Sequence, residues 1–266
     1  MNPFKVHGFE GPEYFCNRTK ETEELSQNIQ YGRNTVVYFW RRLGKSALIQ
    51  YIKDNYKNTV VVLDEFQSIT DYSDKINPEA IFRGIMQENP QIRFVYSGSN
   101  RHLMMSMFSN SNRPFYSSCA HMLIEPIHVE DYTPFIQKWM KKSGIKMGAE
   151  YIKEAYKWAN GQTFYVQLVC NMLYNRGENV TKEILVDTFR RCIDQQTPYF
   201  QNIHEMLTQK QRQIMQAIAQ ENVVETPTGQ GFTSKHGLGA TSSISRVINS
   251  LESKTLIIKT SKGYRI

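Results

Sequence analysis

Three short runs of β-branched and aromatic residues limit what this chain can fold into more than any other feature. They are TVVYFW at 35–40, VVVLDEF at 60–66 and RFVYSGSN at 93–100. Each reads as a buried strand, because strands covered on both faces carry continuous apolar runs. Between them, RRLGKSALIQYIKDNY places Leu43, Ala47, Leu48, Tyr51 and Ile52 at helical spacing, and PEAIFRGIMQENP also reads as a helix. Strand, helix, strand, helix, strand is the order of a parallel sheet with covering helices, so the expected class is α/β.

The texture changes beyond residue 130. EDYTPFIQKWMKKSG, AEYIKEAYKWANG, TFYVQLVCNMLYNRG and TKEILVDTFRRCIDQQ have helical patterns, three of them closed by glycine. From Gln201 the order is a helix (LTQKQRQIMQAIAQ), a glycine-rich segment, a second helix (ATSSISRVINSLESK) and a hairpin turning at Lys262-Gly263. That is the order of a winged helix. The expected domains are a core at 1–130, a helical lid at 131–200 and a winged helix at 201–266.

Composition narrows the setting. The net charge of +7 favours anionic partners such as nucleotides or nucleic acid, although lysine on a solvated face serves equally. Cys16, Cys119, Cys170 and Cys192 form no CxxC pair and read as buried thiols of a cytosolic protein. MNPFKVHGFEG has no apolar core of a signal peptide, and no apolar run approaches a membrane span. A cytoplasmic protein with no membrane partner is expected.

The chemistry concentrates at the strand ends. Gly44-Lys45-Ser46 follows the first run and opens the first helix. A phosphate loop needs a strand, a turn with inward N–H groups and a helix N-terminus facing the anion. Gly44 would let the backbone approach phosphate, Lys45 would reach the terminal phosphates, and the Ser46 hydroxyl would hold Mg²⁺. Phe39 stands where the strict motif has its first glycine. GKS alone therefore also fits a chance helix start.

Asp64 and Glu65 end the second run. Adjacent carboxylates after a buried strand need a cation or solvent at the sheet's edge. Asp64 is a metal candidate, and Glu65 a candidate for orienting or deprotonating an attacking water. Ser97, Gly98, Ser99 and Asn100 end the third run. Ser99 and Asn100 are candidates for sensing a terminal phosphate, and each also fits a helix cap.

EYFCNRTKETEEL, VVYFWRRLGKSALI, VVVLDEFQSI, FVYSGSNRHLMMSMFSNSNRPFY and NGQTFYVQLVCNML, in that order, resemble the archaeal-type P-loop ATPases. These are relatives of the STAND and origin-recognition AAA+ proteins. Loops in that family often read Pro-Arg-Arg-x-Gly-Lys-Thr/Ser without the first glycine; here the core is Trp40-Arg41-Arg42-Leu43-Gly44-Lys45-Ser46. The resemblance implies a P-loop sheet, a helical lid and a C-terminal winged helix. It implies ATP or ADP with Mg²⁺ as ligands, cradled by Arg41, Arg42, Leu43, Gly44, Lys45, Ser46 and Ala47. Ser46 and Asp64 would hold the metal, and Glu65, Ser99 and Asn100 would serve catalysis. Arg101 and Arg113 would be candidates to neutralise phosphate charge, from a neighbouring subunit if the chain forms a homo-oligomer. The family's Gly-x-Pro lid turn stands as Gly161-Gln162-Thr163, without proline. Phe9, Tyr14 and Phe15 could flank the base or pack the core.

One departure is expected to matter. The family places a further strand and helical material between Lys45 and Asp64, and here a single helix leads straight to the acidic strand. The sheet should be smaller, with one edge barer. Nucleotide binding should survive that loss better than tuned hydrolysis.

In the winged helix, Ile244, Val247, Ile248 and Leu251 have core spacing, leaving Arg246 and Asn249 outward with Lys259 and Lys262 near the wing. These suit DNA, and equally a solvated basic face on a protein-interaction domain. Three functions stay open: an ATPase coupled to the winged helix, a nucleotide-gated switch that scarcely hydrolyses, and a remnant that binds nothing.

Overall fold

The computed structural model describes residues 2–5, 11, 14, 16, 18–38, 43, 45–56, 60–72, 77–260 and 262–266, with Lys45 and Ser46 described by their backbone. The sequence assignments at Phe9, Phe15, Phe39, Trp40, Arg41, Arg42 and Gly44 lie outside the described residues. The chain forms two units, Met1–Cys192 and Ile193–Ile266.

The first unit opens with α1 (Thr19–Gln30), β1 (Thr35–Tyr38), α2 (Lys45–Asn55) and β2 (Val60–Leu63). A 3-10 helix (Phe66–Asp71), α3 (Pro78–Glu88), β3 (Arg93–Gly98), α4 (Arg101–Ser109) and β4 (Ala120–Leu123) follow. The strands are parallel in the order β2-β3-β1-β4. All four residues of β1 are buried, as the continuous run TVVY requires of a strand between two others. On one face Val37, Val95 and Met122 pack against Leu25 and Ile29 of α1 and Leu48 and Ile52 of α2. On the other, Val36, Tyr38, Phe94 and Tyr96 pack against Met86 of α3, Met104, Met107 and Phe108 of α4, and Phe66 and Phe115.

Among the described residues β2 is an outer strand, and Val61 is 37% exposed. This is the barer edge expected from the short span between Lys45 and Asp64. β4 was not expected from the sequence. Only Met122 of its four residues is buried, so it lacks the apolar run that marks the other strands.

Four helices complete the unit: α5 (Val129–Lys142), α6 (Ala149–Trp158), α7 (Thr163–Arg176) and α8 (Lys182–Glu205), the last continuing into the second unit. They share a separate core that includes Tyr132, Ile136, Trp139, Val169 and Leu185. The indole of Trp158 stacks on Phe189 with ring centres 4.6 Å apart. Gly177 ends α7 at φ 74°, a conformation that favours glycine. The N-terminal segment belongs to this core too: Phe4 is fully buried in it and Tyr14 stacks on Trp139 at 5.1 Å. Burial pushes the Cys16 and Cys192 thiols up to about 12, so both stay protonated. Cys170 is buried as well, and Cys119 is half-buried.

The second unit contains α9 (Gln209–Glu221), α10 (Gln230–Lys235), α11 (Thr241–Ser253) and the antiparallel pair β5 (Ile258–Thr260) and β6 (Gly263–Arg265). Thr208 and Gln211 form a reciprocal capping box at the start of α9. Ile214, Ile218, Leu238, Ile244, Ile248 and Leu251 fill its core. The glycine-rich segment holds the short helix α10, which its composition concealed. Among the described residues no helix is long and apolar enough to cross a membrane.

Candidate nucleotide site

Sheet register brings the candidate residues together. Leu63 pairs with Tyr96, and Val37 and Tyr38 pair with Ser97 and Gly98. Asp64 therefore follows β2 beside Ser97, and the end of β1 lies on the other side of Ser97. Side chains alternate along a strand, so Asp64 continues the row of Val60 and Val62 on the face covered by α2. The Ser97 hydroxyl is buried and donates to Asp64 Oδ1 at 2.6 Å. The helix whose first residue is Lys45 packs on that same face, through Leu48 and Ile52.

Glu65 departs from the strand in the left-handed region, at φ 48° and ψ 41°. Such a conformation costs a non-glycine residue about 1–2 kcal/mol, and strain of this kind gathers at functional sites. The turn carries the carboxylate to the tip of β3. Glu65 Oε2 accepts from Ser99 Oγ at 2.7 Å, from the Ser99 backbone N–H at 3.2 Å and from Gln67 Nε2 at 2.5 Å. Gly98 makes room for this arrangement. A β-carbon there would collide with Gln67 Oε1 and approach Met104 Cγ to 2.6 Å.

The other candidates have different placements. Asn100 caps α4, accepting from the Leu103 N–H at 3.1 Å, and Arg101 opens that helix. Arg113 binds Glu79 through two hydrogen bonds, Nε to Oε2 at 3.1 Å and Nη2 to Oε1, and donates to Ser106 Oγ at 3.2 Å. Leu43 is buried, and Lys45, Ser46 and Ala47 form the first turn of α2. Tyr14 packs on Trp139 in the core of α5–α8, which is the structural one of its two readings.

Sequence reasoning missed two residues. Gln67 was unmarked because its only signal is position, two residues after Glu65. Arg18 was also unmarked: nothing in its sequence setting tells a solvated arginine from one that is 4% exposed.

In the second unit, α11 buries Ile244, Ile248 and Leu251 and exposes Ser242, Ser243, Ser245, Arg246 and Asn249. Lys259 and Lys262 are exposed on the hairpin, with Lys259 Nζ 5.5 Å from the centre of the Tyr264 ring.

The parallel sheet in the order β2-β3-β1-β4, with helices on both faces, resembles the P-loop nucleoside triphosphatase fold, here with a helical region and a winged helix after it. Comparison with known proteins agrees. Residues 198–266 match a family described as "probable winged helix domain". A Walker-type ATPase of Pyrococcus abyssi superposes with a TM-score of 0.75 at 12% identity, over 99% of this chain and 97% of that one. The Aeropyrum pernix ORC2 protein gives 0.61 at 12% identity, over 100% and 93%. The Thermotoga maritima RuvB Holliday junction branch migration motor gives 0.52 at 14%, over 96% and 94%. No curated protein matches the chain by sequence.

Proposed function

We propose that this protein binds Mg-ATP at the loop between β1 and α2, hydrolyses it to ADP and phosphate, and signals its nucleotide state to the winged helix. The observation that carries this reading is the pairing of Asp64 with Ser97 and of Glu65 with Ser99 at the tips of neighbouring strands. The donor set suits the ligand. The carboxylate of Asp64 and the hydroxyl expected from Ser46 are hard oxygen donors of the kind magnesium takes. When bound, Mg-ATP would supply the anhydride and a cation to offset the charge that develops on it. Lys45 would contribute a point charge to the terminal phosphates. The Glu65 carboxylate would accept the proton of the attacking water, with Ser99 holding its Oε2 in place. Arg41, Arg42, Gly44 and Ala47 complete the cradle in this reading, and Asn100 serves as the helix cap that fixes the Ser99 turn. Calorimetry with Mg-ATP, comparing wild type with Lys45→Ala, tests the site.

One observation favours a second reading, a nucleotide-gated switch with little turnover. Glu65 Oε2 already accepts three hydrogen bonds, and an oxygen so engaged is a weaker base. The outer position of β2 among the described residues points the same way. Phosphate release separates the two readings. The winged helix would contact DNA through Arg246 and Asn249 on α11 and Lys259 and Lys262 on the hairpin. A DNA affinity that falls steeply with salt is the expected signature.

A further inference from the structure

We propose that Arg18 couples the phosphate loop to the root of the helical region, so that a change in the loop is transmitted to α5–α8; this rests on reading that loop as a nucleotide site. The Arg18 side chain is 3% exposed and pairs with Glu21. Its remaining contacts reach two distant segments. Nη2 donates to the Leu43 carbonyl at 2.8 Å, and Nη1 donates to the Glu125 carbonyl at 2.7 Å. Leu43 is the residue before Gly44, and Glu125 lies between β4 and α5. A buried guanidinium holds a fixed planar fork of donors, so it fixes both carbonyls relative to each other.

Both ends of this link join the site to the helices. The Ile124 N–H donates to the Tyr38 carbonyl at 2.7 Å, tying the segment to the end of β1. On the far side, a β-carbon at Gly161 would sit 3.6 Å from Pro126 Cβ. Gly161, at φ +70°, belongs to the turn that starts α7. The N-terminal segment that carries Arg18 is anchored in the same helices: Asn171 Nδ2 donates to the Phe4 carbonyl at 2.7 Å, and Asn2 Nδ2 donates to the Asn171 carbonyl at 3.0 Å. A shift of the Leu43 carbonyl must therefore either move the Glu125 carbonyl or leave a buried charged donor unpaired. The second outcome leaves a buried charged donor without its acceptor, so movement together is favoured.

Hydrogen exchange on the 266-residue chain, with and without Mg-AMPPNP, tests this. In wild type the nucleotide should slow exchange in 43–48 and in 124–132 with one shared midpoint. Arg18→Lys keeps the charge beside Glu21 but replaces the fork with a single ammonium. The variant should keep the slowing at 43–48 and lose it at 124–132; undiminished slowing at 124–132 overturns the proposal. If the variant does not fold, wild type decides: a shared midpoint supports the link, and slowing at 43–48 alone overturns it. Calorimetry on the same samples reports separately on the site. Should wild type bind no nucleotide, the site reading fails and the link is judged on the free chain. There Arg18→Lys must speed exchange of both segments roughly tenfold, as loss of a charged hydrogen bond implies, and speeding of one segment alone overturns the link.

Discussion

The Ser99 hydroxyl donates to Glu65 Oε2 at 2.7 Å, across the tips of two neighbouring parallel strands. If Glu65 takes the proton from water, Glu65→Gln should lower kcat at least about a hundredfold while leaving Mg-ATP binding in place. Ser99→Ala should lower kcat about tenfold with little change in KM, because it loosens the base without touching ground-state binding. Steady-state phosphate release checks both.

If Asp64 holds magnesium, Ser97 bears on the metal. Its hydroxyl orients Asp64 Oδ1 at 2.6 Å from a buried position. Loss of one such hydrogen bond is worth about 1 kcal/mol. Ser97→Ala should therefore raise the magnesium concentration needed for half-maximal turnover roughly fivefold. A magnesium titration at fixed ATP gives the number.

Gly263 tests the second unit. It sits at φ +125°, and a β-carbon there would lie 2.5 Å from the Val224 carbonyl oxygen, whose residue pairs with Tyr264 through two backbone bonds of 2.8 Å. Gly263→Ala should destabilise the hairpin by about 1–3 kcal/mol. Faster hydrogen exchange confined to residues 256–266 and 222–226 is the expected readout.

A pH dependence follows from Tyr38 and His121, whose hydroxyl and Nδ1 are 2.6 Å apart. Burial raises the tyrosine well above its ordinary range, so it keeps its proton and donates to a neutral imidazole. Partial desolvation of the ring beside the Tyr38 hydroxyl also holds His121 below its ordinary value of 6.5. A lowered folded-state value means the unfolded chain binds the proton more readily. The stabilisation is complete above about pH 6.5 and is lost as pH falls through the lower folded value. Urea unfolding between pH 5 and 8 should show this slope in wild type and a smaller one in His121→Asn.

Much of the core was legible because its strands are continuous apolar runs: TVVY, VVVL and RFVYSG each became a strand, and the acids and small polar residues fell at their tips. β4 was not legible, since a single buried methionine leaves no pattern for a four-residue strand. Strand order was also beyond the sequence: nothing in Asp64 or Ser97 alone says that β3 lies between β1 and β2. The left-handed turn at Glu65 and the burial of Arg18 depend on contacts between distant segments, which local patterns do not encode. The helix–helix–hairpin order did reveal the winged helix, because its periodicity is confined to adjacent segments.

The loop before α2 is proposed to hold a magnesium nucleotide. Isothermal titration of wild type with Mg-ATP measures this most directly. The account predicts one saturable site, with affinity lowered at least about tenfold by Lys45→Ala in a protein that remains folded. Absence of binding heat in wild type at several temperatures, or equal affinity in the variant, would contradict it.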